Sequence, residues 1–239
     1  MTDSTTSTVP DAGWDLTDLA SKLSTNNQKN QLKAIEQLAD AGGDGLTVLQ
    51  EFLLERRGTP PNSVDGRAYQ VLRTSTQPGA AEFLQAQFPS GLVATESDRQ
   101  IDYNRLQQLL ANQEFQAADK LTLELLCQLA GTAAVQRKWL YFTDVDTFPK
   151  TDLLSVDSLW RLYSGDKFGF SVQREIWLGV GKNWDKMWPK IGWKKGNNWT
   201  RYPQEFTWDL SAPKGHLPLS NQLRGVRTIE KLLSHPAWV

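Results

Sequence analysis

The sequence has few of the side chains from which metal sites and nucleophilic active sites are built. Its 239 residues include one cysteine, Cys127, and two histidines, His216 and His235. A single cysteine excludes an internal disulfide and favours a reducing compartment. No Cys/His pair has the spacing of a metal site, and glycine motifs that cradle phosphates are absent. Catalysis is therefore the weakest functional hypothesis, and we predict neither catalytic residues nor a metal site of the protein's own.

Long apolar runs and basic N-terminal residues are missing too. The longest apolar runs, such as Trp139–Phe142, fall far short of a membrane span, so no transmembrane segment is predicted. Residues 1–10 are rich in Ser and Thr and contain Asp3, but they include neither Arg nor Lys. This composition predicts a disordered tail and not a signal or transit peptide.

Neither sign of charge dominates the chain as a whole, but charge is unevenly distributed along it. Residues 1–98 carry 7 basic and 13 acidic side chains, whereas residues 99–239 carry 19 and 14, so the net charges are about −6 and +5. This asymmetry indicates separate surfaces with separate partners.

The apolar pattern predicts an all-α chain in two parts, because strand signals are nearly absent. Residues 11–88 contain short amphipathic segments separated by Asn, Gly and Pro, which predict an N-terminal helical bundle that resembles helical repeats. Residues 89–101 lack helical periodicity and are predicted to be a linker. Residues 102–239 form the second domain, whose clearest helix has one broad apolar stripe: Phe115, Ala118, Leu121, Leu125 and Leu129.

Aromatic residues are concentrated between Phe168 and Trp208, where 10 of 41 residues are aromatic and 6 of those are Trp. Up to Trp188 their spacing is helical, so Trp177 and Trp188 are predicted to lie in the core. After Pro189 about 30 residues follow without helical periodicity, which is long for a connection without a function. We expect an ordered loop that lines a site with its aromatic residues: Trp193, Trp199, Tyr202, Phe206 and Trp208.

A last helix is predicted to begin near Ser220. At 100° per residue, Arg224, Arg227 and Lys231 share an arc of about 60° on the face away from the apolar residues. A solvated helix face explains such an arc equally well. The helix start would also offer free N–H groups to an anion.

Three ligand classes could use aromatic rings and cations together: single-stranded nucleic acid, sugars and tetrapyrroles. The sequence pI of about 6.2 is low for a nucleic-acid-binding domain. A tetrapyrrole has a wide apolar plane with carboxylates at one edge, and it suits many Trp residues beside few cations. A binding module for single-stranded nucleic acid or carbohydrate stays the alternative.

Several motifs in residues 100–238 resemble the genomes-uncoupled porphyrin-binding family in sequence and in order. They are Trp139–Thr143, Phe168–Arg174, Trp188–Trp193, Phe206–Pro213, and Gly215–Pro218 with Asn221–Arg227. The segment before them resembles the N-terminal bundle of cyanobacterial members. The resemblance implies an all-helical, cupped-hand core whose palm is lined by two long ordered loops.

The resemblance also implies a function. The chain would be a non-catalytic protein that binds protoporphyrin IX and magnesium protoporphyrin IX, in a magnesium-dependent manner and with no tightly bound cofactor. It would activate magnesium chelatase in chlorophyll biosynthesis, with that enzyme's large porphyrin-binding subunit as its partner. A monomer without a nucleic-acid partner is expected, in a cyanobacterial cytoplasm, with peripheral attachment to the thylakoid membrane as an option.

Carried over to this chain, the resemblance implies that Phe206 contacts the macrocycle and that Arg224 and Arg227 face its propionates. Asn221 would approach a porphyrin-bound magnesium ion. The loop around Phe142 and Val145 would form the opposing wall. The aromatic loop adds two further residues to the predicted site: Trp199 and Tyr202. Relatives can carry Trp where this sequence has Tyr202, which keeps an apolar ring of smaller area.

Overall fold

Helices make up most of the residues that the structure, a computed structural model, describes, which are 15–219 and 225–239. The N-terminal part contains five of them. They are α1 (Leu16–Leu23), α2 (Gln28–Asp40), α3 (Gly42–Glu55), α4 (Ser63–Thr74) and α5 (Ala80–Gln87). The predicted tail, residues 1–10, lies outside the described part of the chain.

Side-chain caps explain where several of these helices begin. The Asp15 carboxylate accepts the Asp18 N–H at 3.0 Å, and the Asn27 side chain accepts that of Asn30 at 3.1 Å. At α4, Asn62 and Asp65 form a reciprocal capping box. Neighbouring helices bury their apolar stripes against one another, so the predicted repeat-like bundle is confirmed.

The described residues of the second part form seven helices. They are α6 (Asn104–Ala111), α7 (Phe115–Ala130), α8 (Thr132–Arg137), α9 (Lys150–Ser164), α10 (Phe170–Gly179), α11 (Trp184–Lys190) and α12 (Arg227–Leu233). Short 3₁₀ turns occur at Val145–Thr147 and Pro236–Trp238. The strands within the described residues are β1 (Lys194–Lys195) and β2 (Asn198–Trp199), an antiparallel hairpin with Lys194 opposite Trp199. The all-α prediction is confirmed with this small exception.

The predicted start of the last helix near Ser220 lies outside the described residues, and within them α12 begins at Arg227. Gly225 has a φ of +95°, which a right-handed helix cannot include, and it separates α12 from the residues before it. Arg224 lies outside the described residues, so α12 carries two members of the predicted three-cation arc, Arg227 and Lys231. Lys231 is on the helix, but its ammonium group pairs with Asp146 at 2.8 Å.

The two parts of the chain pack directly on each other through α4 and α9. At Gly66 the helices approach so closely that an added Cβ would lie 2.5 Å from the Leu162 carbonyl oxygen. The buried Gln70 amide donates to the Tyr163 carbonyl at 2.9 Å across the same contact. The junction is thus a packed interface, and its hydrogen-bonding groups are satisfied from both sides.

Residues 88–103 contain no helix and include the predicted linker, 89–101. Side chains of α9 hold this segment in place. The Ser155 hydroxyl accepts from the Glu96 N–H and donates to its carbonyl, and the Asp152 carboxylate accepts from the Asp98 N–H at 3.0 Å and the Tyr103 hydroxyl at 2.7 Å. The division of the chain into two domains at this segment stays a prediction.

The core under the second part is aromatic and fixes the position of α7. Phe115 stacks on Trp160 of α9 with ring centroids 6.1 Å apart, and it meets the edge of Phe168 at 5.5 Å. The Trp160 indole N–H donates to the Thr122 hydroxyl at 3.0 Å, which satisfies its one polar group. Helix α7 is therefore held along its length and can serve as a rigid platform.

Candidate functional site

The first half of α7 forms one side of a cavity of about 460 Å³, and the aromatic loop forms the other. The described residues that line it are Gln113, Glu114, Phe115, Gln116, Ala117, Lys120, Tyr202 and Trp208. Tyr202 is 41% exposed, and the Lys120 side chain is exposed beside it. An apolar ring and a cation thus face the same solvent-accessible space.

Three rings of the loop pack together and are called here the aromatic triad: Tyr202, Phe206 and Trp208. Their centroids are 5.8–6.1 Å apart. Phe206 is buried beneath the other two, and the Trp208 indole N–H donates to the Pro203 carbonyl at 2.9 Å. This packing presents Tyr202 and Trp208 to the cavity and leaves Phe206 to support them.

His216 fixes the triad to the rest of the second part. Its Nδ1 lies 2.6 Å from the Ile191 carbonyl oxygen, and its Nε2 lies 3.3 Å from the Thr207 N–H. Both contacts are satisfied when Nδ1 carries the proton and Nε2 accepts, which is the neutral tautomer. Burial of the ring lowers the pKa of His216, in agreement with a neutral side chain. His216 therefore acts as a structural link between loop segments.

A buried carboxylate lies under the cavity. Asp119 of α7 is 4% exposed, and its Oδ1 accepts the Leu219 N–H at 2.6 Å. Burial raises the pKa of Asp119 to about 7, and the single backbone hydrogen bond offsets only part of that rise. The pKa of Tyr202 is raised as well, first by burial and then by the charge of Asp119. The two side chains are thus electrostatic neighbours.

The loop before α9 carries Phe142 and Val145, the residues predicted for an opposing wall, and neither of them lines the cavity over α7. Phe142 is half-buried, and the Arg227 guanidinium lies over its ring at 5.6 Å from the centroid. Val145 is 1% exposed and belongs to the core. The turn that contains Val145 packs against α7 and α12, and the ion pair of Lys231 with Asp146 joins it to α12.

Helix α7 contacts both the aromatic loop and the turn that carries Val145. Lys120 lines the cavity with Tyr202 and Trp208, and the turn packs on the same helix. Leu219, whose N–H is bonded to Asp119, is the last described residue before the segment 220–224. The described chain resumes at Gly225, two residues before Arg227.

Trp199 lies apart from the triad. Its ring is 45% exposed and contacts Trp188 at 5.7 Å, and the Lys194 ammonium lies 5.5 Å from its centroid. It lines a separate cavity whose described residues are Lys195–Arg201 and Glu205. Trp199 and Tyr202 therefore face different spaces.

Four Trp rings stack behind the hairpin, from Trp177 through Trp184 and Trp188 to Trp193. Successive centroids are 5.1, 4.9 and 5.5 Å apart. Trp177 and Trp188 are buried, as predicted from their spacing. Trp193 was expected to line a site, but it is 1% exposed and its N–H donates to the His216 carbonyl at 2.8 Å. That expectation is wrong, because the ring completes the stack inside the core.

The structure thus brings the predicted residues together in two groups around α7. Tyr202 and Phe206 belong to the aromatic triad, whereas Phe142, Val145 and Arg227 lie together where the loop before α9 meets α12. Asn221 and Arg224 lie outside the described residues. Sequence reasoning missed Asp119 and Lys120 as members of the predicted site, whereas Trp208 was expected in the loop that lines it. The position of Asp119 could have been predicted from the sequence. It lies four residues after Phe115 and three before the buried Thr122, and this spacing places its carboxylate on the apolar side of α7.

Residues 15–219 and 225–239 also bear on metal binding and on membrane crossing. No group of three or more His, Cys, Asp or Glu side chains there is arranged to hold a metal ion. None of the helices in that part of the chain has the length and apolar character needed to cross a bilayer.

Family models match two stretches of the chain. Residues 96–236 match the model described as GUN4-like, and residues 8–89 match that of the ARM-like repeat domain at the GUN4 N terminus. The structure of GUN4 from Chlamydomonas reinhardtii superposes with a TM-score of 0.58 at 43% identity, over 62% of this chain and 96% of that one.

Two curated relatives extend the comparison. The Ycf53-like protein of Synechocystis sp. is 49% identical over 224 residues, which cover 93% of this chain and 96% of the relative. The chloroplastic tetrapyrrole-binding protein of Arabidopsis thaliana is 41% identical over 145 residues, 57% of this chain and 55% of the relative. The family model alone spans more than half of the sequence, and the Synechocystis relative matches nearly all of it. The chain therefore belongs to the GUN4-like family.

Proposed function

We propose that this protein is a non-catalytic tetrapyrrole-binding protein whose ligands are protoporphyrin IX and magnesium protoporphyrin IX. The observation that carries the proposal is the cavity over α7, where the exposed ring of Tyr202 and the half-buried ring of Trp208 lie beside Lys120. The name of the Arabidopsis relative, a tetrapyrrole-binding protein, supports the ligand class.

The geometry fits a planar ligand with acidic groups at one edge. A volume of about 460 Å³ is within the usual range for small-molecule sites. Two cations border the platform, Lys120 near the triad and Arg227 over Phe142, and among the described residues neither forms a salt bridge. Each charge-assisted hydrogen bond to a propionate would contribute about 1.5–3 kcal/mol.

We assign the roles within this site as follows. The macrocycle lies against Tyr202 and Phe142, with Phe206 and Val145 supporting the two walls. Arg224 and Arg227 pair with the propionates, and Asn221 approaches the magnesium ion of the metallated ligand. The roles of Asn221 and Arg224 rest on the resemblance to the family alone.

Binding is tested by titrating the protein with deuteroporphyrin, with and without magnesium ions, while Trp fluorescence is followed. Quenching at micromolar ligand is expected, because Trp208 lines the cavity. Replacing Trp208 with Phe keeps an aromatic ring and removes one reporter, so the amplitude should fall while the affinity stays similar. An absence of quenching at micromolar ligand would contradict the proposal.

We further propose that the protein activates magnesium chelatase through the enzyme's large porphyrin-binding subunit in chlorophyll biosynthesis. It would act as a monomer in a cyanobacterial cytoplasm, with the thylakoid membrane as an optional peripheral site. A chelatase assay at low magnesium, with and without the protein, tests this step. Equal rates in the two reactions would contradict the proposed activation of the chelatase, and they would not contradict the proposed tetrapyrrole binding.

One observation favours a second candidate, a binding module for single-stranded nucleic acid or carbohydrate. Trp199 is half exposed on the hairpin, with Lys194 over its ring and Lys195 and Arg201 lining the same cavity. Rings beside cations can stack bases, and such binding falls steeply with salt. A gel shift at low salt that shows no complex would discard the nucleic-acid form.

A further inference from the structure

A second cavity lies at the junction between the N-terminal bundle and the rest of the chain. It has a volume of about 640 Å³ and is bounded by α4, α5 and α6, with residues 88–91 closing one end. It shares no lining residue with the cavity over α7, and the turn between α6 and α7 separates the two. No role proposed above uses this space.

One charged side chain lines the junction cavity among the described residues, and it is a cation. The Arg73 Nε donates to the Asn112 side-chain oxygen at 3.1 Å, which orients the guanidinium group. No salt bridge to Arg73 occurs within the described ranges, and the N–H groups that neither Asn112 nor the Tyr69 hydroxyl engages can pair with a ligand. Burial raises the pKa of Tyr69, and the charge of Arg73 opposes that rise, which places the phenol beside the cation.

The remaining surface divides into an apolar floor and an amide rim. The floor contains Leu84 and Ala111, and the ring of Phe88 meets the buried Tyr69 edge-on at 6.3 Å. The rim consists of exposed, uncharged polar side chains: Gln85, Asn104 and Gln108. Such a site accepts a molecule that is apolar at one end and polar or anionic at the other.

The back of the cavity is rigid. The Gln107 amide group donates to the Ser90 and Val93 carbonyls at 2.9 and 3.1 Å, and its oxygen accepts from the Val93 N–H and the Tyr163 hydroxyl. At Gly91, with φ of +79°, an added Cβ would lie 2.4 Å from the Gln107 side chain. Because Gln107 is fully hydrogen-bonded, it shapes the wall and leaves recognition to Arg73.

We propose that the junction cavity is a second ligand site, for a small organic anion whose carboxylate or phosphate pairs with Arg73 and whose apolar body packs on Phe88 and Leu84. A guanidinium group offers a planar fork of N–H donors that matches both kinds of anion. The absence of acidic residues from the described lining removes the repulsion that would oppose binding. Since the walls come from both parts of the chain, an occupant would contact the bundle and the core at once.

The test is a titration of the full ¹⁵N-labelled chain with benzoate, phenyl phosphate and neutral benzamide, followed by two-dimensional NMR. Benzoate or phenyl phosphate, at millimolar concentration, should shift the amide signals of α4, α6 and residues 88–91. Benzamide has the same ring and no charge, so it should bind about tenfold more weakly. The two anions together show whether a carboxylate or a phosphate is preferred.

Three variants make the test decisive. Arg73→Gln should lower the affinity for the preferred anion about tenfold, so that this anion binds no more tightly than benzamide does. Ala81→Trp, at the exposed rim on α5, should obstruct all three probes, whereas Lys33→Gln, an exposed cation on α2 outside the lining, should change nothing. The proposal is overturned if no probe shifts these signals, if benzamide equals the anions, or if Arg73→Gln binds like the unaltered protein. Deuteroporphyrin affinity should be unchanged in Arg73→Gln, which separates this site from the one over α7.

Discussion

The Asp119 carboxylate accepts a hydrogen bond from the Leu219 N–H at 2.6 Å, although the two residues are 100 positions apart in the chain. This bond joins the middle of α7 to the end of the aromatic loop. Because Asp119 is buried and its pKa is raised to about 7, its protonation state changes near neutral pH. The floor of the proposed tetrapyrrole site is thus held by a group whose charge depends on pH.

The first prediction concerns Asp119 and stability. A raised pKa means that the folded protein binds this proton more tightly than the unfolded chain does. The stabilisation that the protonated Asp119 provides is therefore complete below pH 3.8, and it is lost as the pH rises through about 7. At 1.36 kcal/mol per pKa unit the loss is at most about 4 kcal/mol. Asp119→Asn keeps an acceptor for Leu219 and cannot ionise, so it should be more stable than the unaltered protein at pH 8.

Urea denaturation at pH 5 and pH 8 measures the effect. The difference in unfolding free energy between the two pH values should be smaller in Asp119→Asn. Asp209→Asn is the matched control, because the carboxylate of Asp209 is exposed on the aromatic loop and should leave the pH dependence nearly unaltered. Identical pH dependence in all three proteins would show that Asp119 does not titrate as a buried acid.

A second prediction separates Arg227 from Lys231, two cations on the same helix. Arg227 lies over Phe142, whereas Lys231 is paired with Asp146. Arg227→Gln should lower the affinity for deuteroporphyrin about tenfold, which is equivalent to the loss of one charge-assisted hydrogen bond. The affinity for the dimethyl ester of deuteroporphyrin should barely change. Lys231→Gln should leave both affinities nearly unchanged.

Fluorescence titration with the two ligands provides the measurement. The same comparison applied to Arg224→Ala tests the role that the family resemblance gives to that residue. If Arg227→Gln weakened acid and ester to the same extent, Arg227 would be a packing residue of the Phe142 wall and not a partner of the propionates.

Periodicity predicted the helical part of this structure well because each helix has a regular apolar side. The stripe on α7 and the burial of Trp177 and Trp188 followed from spacing alone. It did not locate the start of α12, where the apolar spacing is compatible with a longer helix and the positive φ of Gly225 decides otherwise. A local conformation of one residue cannot be read from the period of its neighbours.

The aromatic loop was harder to interpret, since side chains without a period have no predictable face. Trp193 and Trp199 are six residues apart and both were expected at a site, yet one is 1% exposed and the other 45%. The contacts that decide their positions are distant in sequence, such as that between His216 and the Ile191 carbonyl. Asp119 was missed for the same reason, because its partner is Leu219.

The third prediction tests whether Trp199 belongs to the tetrapyrrole site. Tyr202 lines the cavity over α7, and Trp199 lines a different one beside Lys195. Tyr202→Ala should therefore weaken deuteroporphyrin by up to about tenfold through the loss of one ring contact. Trp199→Ala should change the affinity by much less. Equal losses in the two variants would place both rings at one ligand and would contradict the separation of the cavities.

The last prediction concerns Gly66, where the bundle meets the core. Gly66→Ala would place a methyl group 2.5 Å from the Leu162 carbonyl oxygen, and relieving that overlap should cost about 1–3 kcal/mol. Gly43→Ala in α3 is the matched control: its Cβ meets no atom within 4 Å, so it should stabilise the protein by up to about 1 kcal/mol.

Two probes of urea unfolding show how far the damage in Gly66→Ala extends. Nine of the ten Trp residues follow residue 98, so Trp fluorescence reports mainly on the second part, whereas far-UV circular dichroism reports on all helices. Because α4 and α9 share a packed and hydrogen-bonded interface, both midpoints should fall together. A fall in the dichroism midpoint alone would mean that the bundle unfolds by itself, and the junction would then be too weak to hold the cavity beside Arg73 in a fixed shape.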